Sequence, residues 1–89
     1  CIIYPDDFAA LGGIHVIRER GMSIPEDISI AGYDGIRLAK LTVPNLTTLC
    51  QDTQHLGQYA AEKLIDLIEG KTAESCMDLP VKLLEGQTT

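Results

Sequence analysis

Hydrophobic and polar residues follow one another along the chain in blocks that predict strands and helices in alternation. A short apolar, β-branched run over residues 1–4 predicts a strand buried on both faces. An apolar residue then recurs at every third position, at Phe8, Leu11, Ile14 and Ile17. This spacing predicts a helix over residues 8–20, which Asp6 and Asp7 cap at its start and Gly21 ends.

The rest of the chain repeats this alternation. Two further apolar runs, at residues 28–33 and 46–50, predict buried strands, with a short helical or irregular piece over residues 36–41 between them. A second long helix is predicted from Thr53 to Glu69, with one apolar face made by Leu56, Ala60, Leu64, Leu67 and Ile68. The alternation from Leu79 to Leu84 predicts a last strand, and Pro80 favours a sheet edge for it.

The order strand, helix, strand at this spacing is typical of a βαβ unit with parallel strands. We therefore predict an α/β fold built on a parallel sheet. Four strands with two long helices are too few to cover both faces of such a sheet, so we expect the chain to be a fragment whose missing strands belong to a larger protein.

The amino-acid composition excludes several classes of protein. Among 89 residues, 45% are hydrophobic, and the net charge is −6, which excludes a disordered chain and a basic surface for nucleic acid. No apolar run approaches the roughly 20 residues needed to span a bilayer, so no membrane role is expected. The odd set of Cys1, Cys50 and Cys76 has no CxxC spacing, which favours reduced thiols in a cytoplasmic protein.

Catalytic and metal-binding motifs are absent from the sequence. It contains no GxSxG, Walker, GxGxxG or HExxH pattern. His15 and His55 have no carboxylate or cysteine at metal-ligand spacing, so we expect neither a metal, nor a cofactor, nor an enzyme. A nucleophilic pair of Cys50 and His55 is the weaker alternative to a buried thiol.

Polar side chains lie where three predicted strands end. These are Asp6, Asp34 and Gln51, and ligands of open α/β sheets bind beyond the carboxyl ends of parallel strands. Two carboxylates and an amide suit a polyhydroxylated ligand, because they accept hydrogen bonds from hydroxyl groups. The alternative is purely structural: Asp6 as a helix cap, Asp34 as a turn residue and Gln51 as a solvated strand end.

Three longer motifs carry a resemblance to a known family. Residues 21–34 read GMSIPEDISIAGYD, residues 44–51 read PNLTTLCQ, and residues 6–12 read DDFAALG. In this order and spacing they resemble the C-terminal region of LacI/GalR-type transcriptional repressors, whose corresponding helix begins ND-x-x-A-x-G. The resemblance covers essentially the whole chain.

The resemblance implies a periplasmic-binding-protein-like (type I) fold of two subdomains with a small effector in the cleft between them. Residues 1–50 would belong to the C-terminal subdomain, residues 51–75 would form a crossover and a helix of the N-terminal subdomain, and residues 76–89 would return as a strand. The family acts as cytoplasmic homodimers that bind operator DNA through a helix-turn-helix domain absent from this chain. A periplasmic sugar-binding protein of a transport system shares the fold and is the alternative.

The family's site residues can be placed on this sequence. Its effector contacts fall on Asp6, Asp34 and Gln51, and Thr53 and Leu56 would line the cleft. We expect the effector to be a sugar. Many relatives have Asn at the position of Asp6, and the second carboxylate favours a hydroxyl-rich or partly cationic ligand. Arg is common in the family where this chain has Gly86. The resemblance places the dimer interface at Leu11, His15, Leu38, Leu41 and Thr42.

Overall fold

The computed structural model describes residues 1–74 and 76–89 and contains one four-stranded sheet with strand order β1-β2-β3-β4. The strands are β1 (Ile2–Ile3), β2 (Ile30–Asp34), β3 (Thr47–Cys50) and β4 (Lys82–Leu84). The helices are α1 (Asp7–Glu19) and α2 (Thr53–Ile68), with a 3-10 helix at Arg37–Lys40. Within these described residues, neither helix has the length and apolarity to cross a membrane.

The chain divides into two compact units. Unit 1 comprises Cys1–Gln51 and Lys82–Thr89, and unit 2 comprises Asp52–Val81. All four strands and α1 therefore lie in unit 1, whereas α2 lies in unit 2.

Strand pairing confirms the predicted α/β class and its parallel sheet. β1 pairs with β2 and β2 pairs with β3, both in parallel. β4 runs antiparallel to β3 and occupies an edge of the sheet, in agreement with the edge position that Pro80 favoured. Since β1, β2 and β3 are parallel, their carboxyl ends meet at the same side of the sheet.

The core of unit 1 forms where α1 packs beside β2. Its fully buried apolar residues are Ala10, Ile14, Ile17, Ile30, Ala39 and Leu46. The predicted apolar stripe is therefore right for Ile14 and Ile17 but wrong for Phe8, whose side chain is 67% exposed. The helix begins at Asp7, one residue earlier than predicted. Its buried face consists of Asp7, Ala10, Ile14 and Ile17, and Phe8 lies outside this face.

One other burial prediction is wrong within this chain. Ile3 of β1 is 78% exposed, because β1 is an edge strand here and pairs only with β2. No residue of α2 is fully buried, and the predicted apolar face remains accessible at Leu56, Leu64, Leu67 and Ile68. An exposed apolar helix face of this kind is typical of a surface that packs against further protein.

The C-terminal tail joins β2 to β3. The Thr88 side chain is fully buried, and its Oγ1 donates to the Ile30 carbonyl at 2.7 Å while accepting from the Thr47 amide at 2.9 Å. The Ile30 amide in turn donates to the Thr88 carbonyl at 2.8 Å. Residues that follow β4 thus complete backbone hydrogen bonds near the beginnings of the two inner strands.

Candidate functional site

Asp34 and Gln51 meet at the carboxyl ends of β2 and β3. Asp34 is the last residue of β2, and Gln51 directly follows β3. The Gln51 side-chain amide donates to Asp34 Oδ1 at 2.7 Å, and the Gln51 backbone amide donates to the Asp34 carbonyl at 3.2 Å. Two of the three predicted effector residues are therefore in direct contact. Within the described residues, the hydrogen bond of the Asp34 carboxylate uses Oδ1, which leaves Oδ2 available as an acceptor.

Asp6 follows β1, the strand on the other side of β2. It lies three residues beyond Ile3, just as Asp34 lies three residues beyond Ala31, the register partner of Ile3. The Asp6 side chain accepts from the Ala9 amide at 2.8 Å and so caps α1. Asp6 thus has the predicted cap role, and its second carboxylate oxygen has no hydrogen bond among the described contacts. The structure describes no hydrogen bond that joins Asp6 to Asp34 or Gln51.

The backbone at Asp34 is unusual. Asp34 has φ 111°, which makes it the one non-glycine residue in the described chain with positive φ, and Gly35 follows with φ 74°. Side chains rarely adopt this region, although Asp and Asn tolerate it best. Gly35 is required for a second reason, because a Cβ built there would lie 2.7 Å from the Cys50 Cα. The turn therefore packs closely against the end of β3.

A buried polar pair lies beneath this turn. Asp7 is fully buried, and its Oδ2 accepts from the Ile36 amide at 2.8 Å. Thr48 is 2% exposed, and its hydroxyl donates to Asp7 Oδ1 at 2.6 Å while accepting from the Gly35 amide at 3.3 Å. One carboxylate and one hydroxyl thus hold two consecutive amides of the turn that carries Asp34.

Thr53 and Leu56, the predicted cleft residues, lie in the first turn of α2 in unit 2, and both are exposed. Asp52 caps this helix through the His55 amide at 3.1 Å, and its other oxygen lies 2.5 Å from His55 Nδ1. The hydrogen bond to the Asp52 side chain, followed by the attraction of its charge, raises the pKa of His55, and the same bond lowers the pKa of Asp52.

These shifts define the pH range in which the pair contributes to stability. The His55 contribution is complete below the ordinary imidazole pKa of 6.5 and is lost as the pH rises through the higher folded value. The Asp52 contribution is present above its ordinary pKa of 3.8 and is lost as the pH falls through the lowered one. Both groups face solvent, so the effect on the free energy of unfolding is small.

Four of the five predicted dimer residues line one groove of unit 1. A groove of about 300 Å³ runs between α1 and the segment after β2, and its lining includes Leu11, His15, Leu38 and Thr42. Leu41, the fifth predicted residue, is 77% exposed. The groove also includes Arg18, and the 3-10 helix carries the exposed bases Arg37 and Lys40, so this surface combines leucine side chains with positive charge.

Residues 1–74 and 76–89 contain no cluster of three or more His, Cys, Asp or Glu side chains that could hold a metal ion. The Cys50 thiol donates to the Gln51 carbonyl at 3.5 Å, and the His55 ring is bonded to Asp52. Each member of the alternative nucleophilic pair therefore has another partner.

Comparison with known proteins assigns the chain to a family. The family model for the periplasmic binding protein-like domain matches residues 1–89. The chain belongs to that family. The lactose operon repressor of Escherichia coli is 35% identical over 88 residues, and the ribose operon repressor of Haemophilus influenzae is 43% identical over 63 residues. These matches cover 99% and 71% of this chain and 24% and 19% of the respective repressors.

Solved structures of the family agree with this assignment. A periplasmic binding protein/LacI transcriptional regulator from Alkaliphilus metalliredigens, complexed with D-xylulofuranose, superposes with a TM-score of 0.91 at 34% identity. A Lac repressor dimer bound to operator and the anti-inducer ONPF superposes with a TM-score of 0.89 at 36% identity. The matches cover 99% and 98% of this chain, and 34% and 30% of those chains. The predicted type I fold and the resemblance to LacI-type repressors are confirmed.

The family members named above are regulators of transcription rather than enzymes, and the chain spans about a quarter of the lactose repressor.

Two residues that support the site, Asp7 and Thr48, were not recognised from the sequence. Asp7 was assigned to the helix cap, and Thr48 was given no role. The Thr48 hydroxyl lies within a strand that was predicted to be buried. Because a buried polar group requires a hydrogen-bond partner, this hydroxyl was the signal in the sequence that pointed to the pair.

Proposed function

We propose that this chain is the effector-binding and dimerisation region of a LacI-family transcriptional regulator that acts in the cytoplasm. The observation that carries the proposal is the direct bond between Asp34 and Gln51 at the carboxyl ends of adjacent parallel strands, with Asp6 at the end of the next strand. This is the position at which open α/β sheets bind small molecules. Effector binding would shift the protein between two states of different operator affinity.

The free acceptor atoms favour a hydroxyl-rich effector such as a sugar. Asp6 and Asp34 each use one described carboxylate oxygen internally, so each has a second oxygen for a ligand donor. The Gln51 side chain adds a carbonyl acceptor and a second N–H. Sugar hydroxyls supply donors to such acceptors, whereas a phosphate or carboxylate placed between the two aspartates would be repelled.

The division of the chain supports the proposed arrangement of two lobes. Residues 1–50 would belong to the C-terminal subdomain, residues 51–75 to a crossover and an N-terminal-subdomain helix, and residues 76–89 to the returning strand. Along the chain, one unit gives way to the other between Gln51 and Asp52 and again between Val81 and Lys82. Gln51 is therefore the last residue of unit 1 before the chain enters unit 2.

The homodimer would form through the groove surface of unit 1. Leu11, His15, Leu38 and Thr42 line this groove, and Leu41 adds an exposed apolar side chain to the proposed interface. Operator DNA would be bound by a helix-turn-helix domain outside these residues, since their net charge of −6 opposes binding to phosphates. A transport protein is the less favoured function, because the curated relatives named above are operon repressors. The proposal includes no enzyme activity.

The test is the Asp34→Asn variant of the full-length protein. Asn tolerates positive φ and can still accept from Gln51, but it presents an amino group in place of an acceptor oxygen. D-Ribose, lactose and D-xylulose are the first probes, measured by calorimetry. Loss of one hydrogen bond to a charged acceptor costs about 1.5–3 kcal/mol, so affinity should fall at least about tenfold.

Asp27→Asn is the matched control, because it removes the same charge from an exposed turn of unit 1. Dimerisation, followed by analytical ultracentrifugation, should be unchanged in both variants. Equal affinity of the wild type and Asp34→Asn for a bound sugar would refute the assignment of Asp34 to the effector site.

A further inference from the structure

We propose that Asp7 and Thr48 are positioning residues of the effector site: they hold the turn that aims the Asp34 carboxylate at Gln51 and at the ligand. The inference rests on the proposed effector function and extends it to two side chains that do not face the ligand themselves. Both are buried, at 0% and 2% exposure, so neither can contact a bound molecule directly.

The turn needs such support because its backbone conformation is unfavourable by itself. Asp34 and Gly35 have successive positive φ values of 111° and 74°. A residue with a side chain persists in this region only where its surroundings determine the conformation. Relaxation of Asp34 towards ordinary strand geometry would reorient its carboxylate and break the 2.7 Å bond to Gln51.

The buried pair supplies the required restraint. Asp7 Oδ2 accepts from the Ile36 amide, and the Thr48 hydroxyl accepts from the Gly35 amide while donating to Asp7 Oδ1. The two amides directly after Asp34 are thereby tied to α1 and to β3. The chain of contacts is continuous, from Asp7 through Thr48 and the turn to Asp34.

A purely structural role for the pair makes a different prediction. In that case the loss of the Thr48 hydroxyl would lower stability without a particular effect on the turn or the ligand. Thr47 provides a matched control, because it is the neighbouring residue of β3, is also buried, and uses its hydroxyl to accept from the Gly86 amide at 2.9 Å. Successive strand side chains point to opposite faces, so Thr47 lies away from the turn.

The experiment compares Thr48→Val, Thr48→Ser and Thr47→Val in the full-length protein. The first readout is amide hydrogen exchange at residues 35 and 36 without ligand. Loss of one hydrogen bond should accelerate exchange about five- to tenfold in Thr48→Val, while Thr48→Ser and Thr47→Val stay close to the wild type. Asp7→Asn, which retains the size of the side chain, should accelerate the same amides if Thr48→Val fails to fold.

The second readout is the affinity for D-ribose, lactose and D-xylulose. For any of these that the wild type binds, the dissociation constant should rise about tenfold in Thr48→Val and change less than about twofold in Thr47→Val. Unaltered exchange in Thr48→Val, equal acceleration in Thr47→Val, or unaltered affinity despite faster exchange would each overturn the positioning role. Absence of wild-type binding to all three sugars would instead count against the sugar proposal, and the exchange rates would still decide the role of the pair.

Discussion

Replacement of Thr88 by Val tests how strongly the C-terminal tail stabilises the sheet. Val has nearly the same shape as Thr but lacks the hydroxyl, which donates to the Ile30 carbonyl and accepts from the Thr47 amide. The position is fully buried, so water cannot replace either bond. Each of the two orphaned groups costs about 1–3 kcal/mol, so the free energy of unfolding should fall by about 2–6 kcal/mol.

The assay is urea denaturation of the full-length protein, followed by circular dichroism. Thr88→Ser is the control, since it keeps the hydroxyl and removes one buried methyl group at a cost of about 1 kcal/mol. Thr88→Val should therefore unfold at a clearly lower urea concentration than Thr88→Ser. A loss in Thr88→Val no greater than in Thr88→Ser would refute the reasoning that the two hydrogen bonds, rather than packing, hold the tail.

Two further comparisons follow from local geometry. Gly12→Ala should raise the free energy of unfolding by about 0.5–1 kcal/mol, because Gly12 lies within α1 with no atom within 4 Å of an added Cβ. Gly86→Ala should lower the free energy of unfolding, because the added Cβ would lie 2.7 Å from the Leu46 carbonyl carbon. Similar denaturation midpoints for the two variants would contradict this difference. By NMR titration, His55 should show a pKa above 6.5 that returns towards the ordinary value in Asp52→Asn, and an unchanged titration would exclude the pairing.

The Gly86 position leaves no room for a side chain. The backbone of Asn45 and Leu46 occupies the space that a side chain would enter. The Gln87 amide donates to the Asn45 carbonyl at 2.7 Å, and the Asn45 amide donates back to the Gln87 side chain at 3.2 Å. Close approach of the tail to this loop requires glycine.

The sequence by itself determined the features that depend on neighbouring residues. The caps at Asp6 and Asp52 and the left-handed residues Gly21 and Gly70 define where the two long helices start and stop. Local hydrogen bonds and backbone freedom suffice for this, because their partners lie within about four residues. The apolar runs that end at residues 33 and 50 predicted the carboxyl ends of β2 and β3 to within one residue, and with them the position of Asp34 and Gln51.

Only the tertiary structure decided which polar groups support the site. The partners of Asp7 lie 29 and 41 residues away in sequence, and the partner carbonyl of the Thr88 hydroxyl lies 58 residues away. No periodicity or motif can reveal such contacts, because they depend on how the strands are ordered and aligned. Phe8 shows the same limit for burial: an apolar residue at helical spacing is buried only if another element covers it, and here none does.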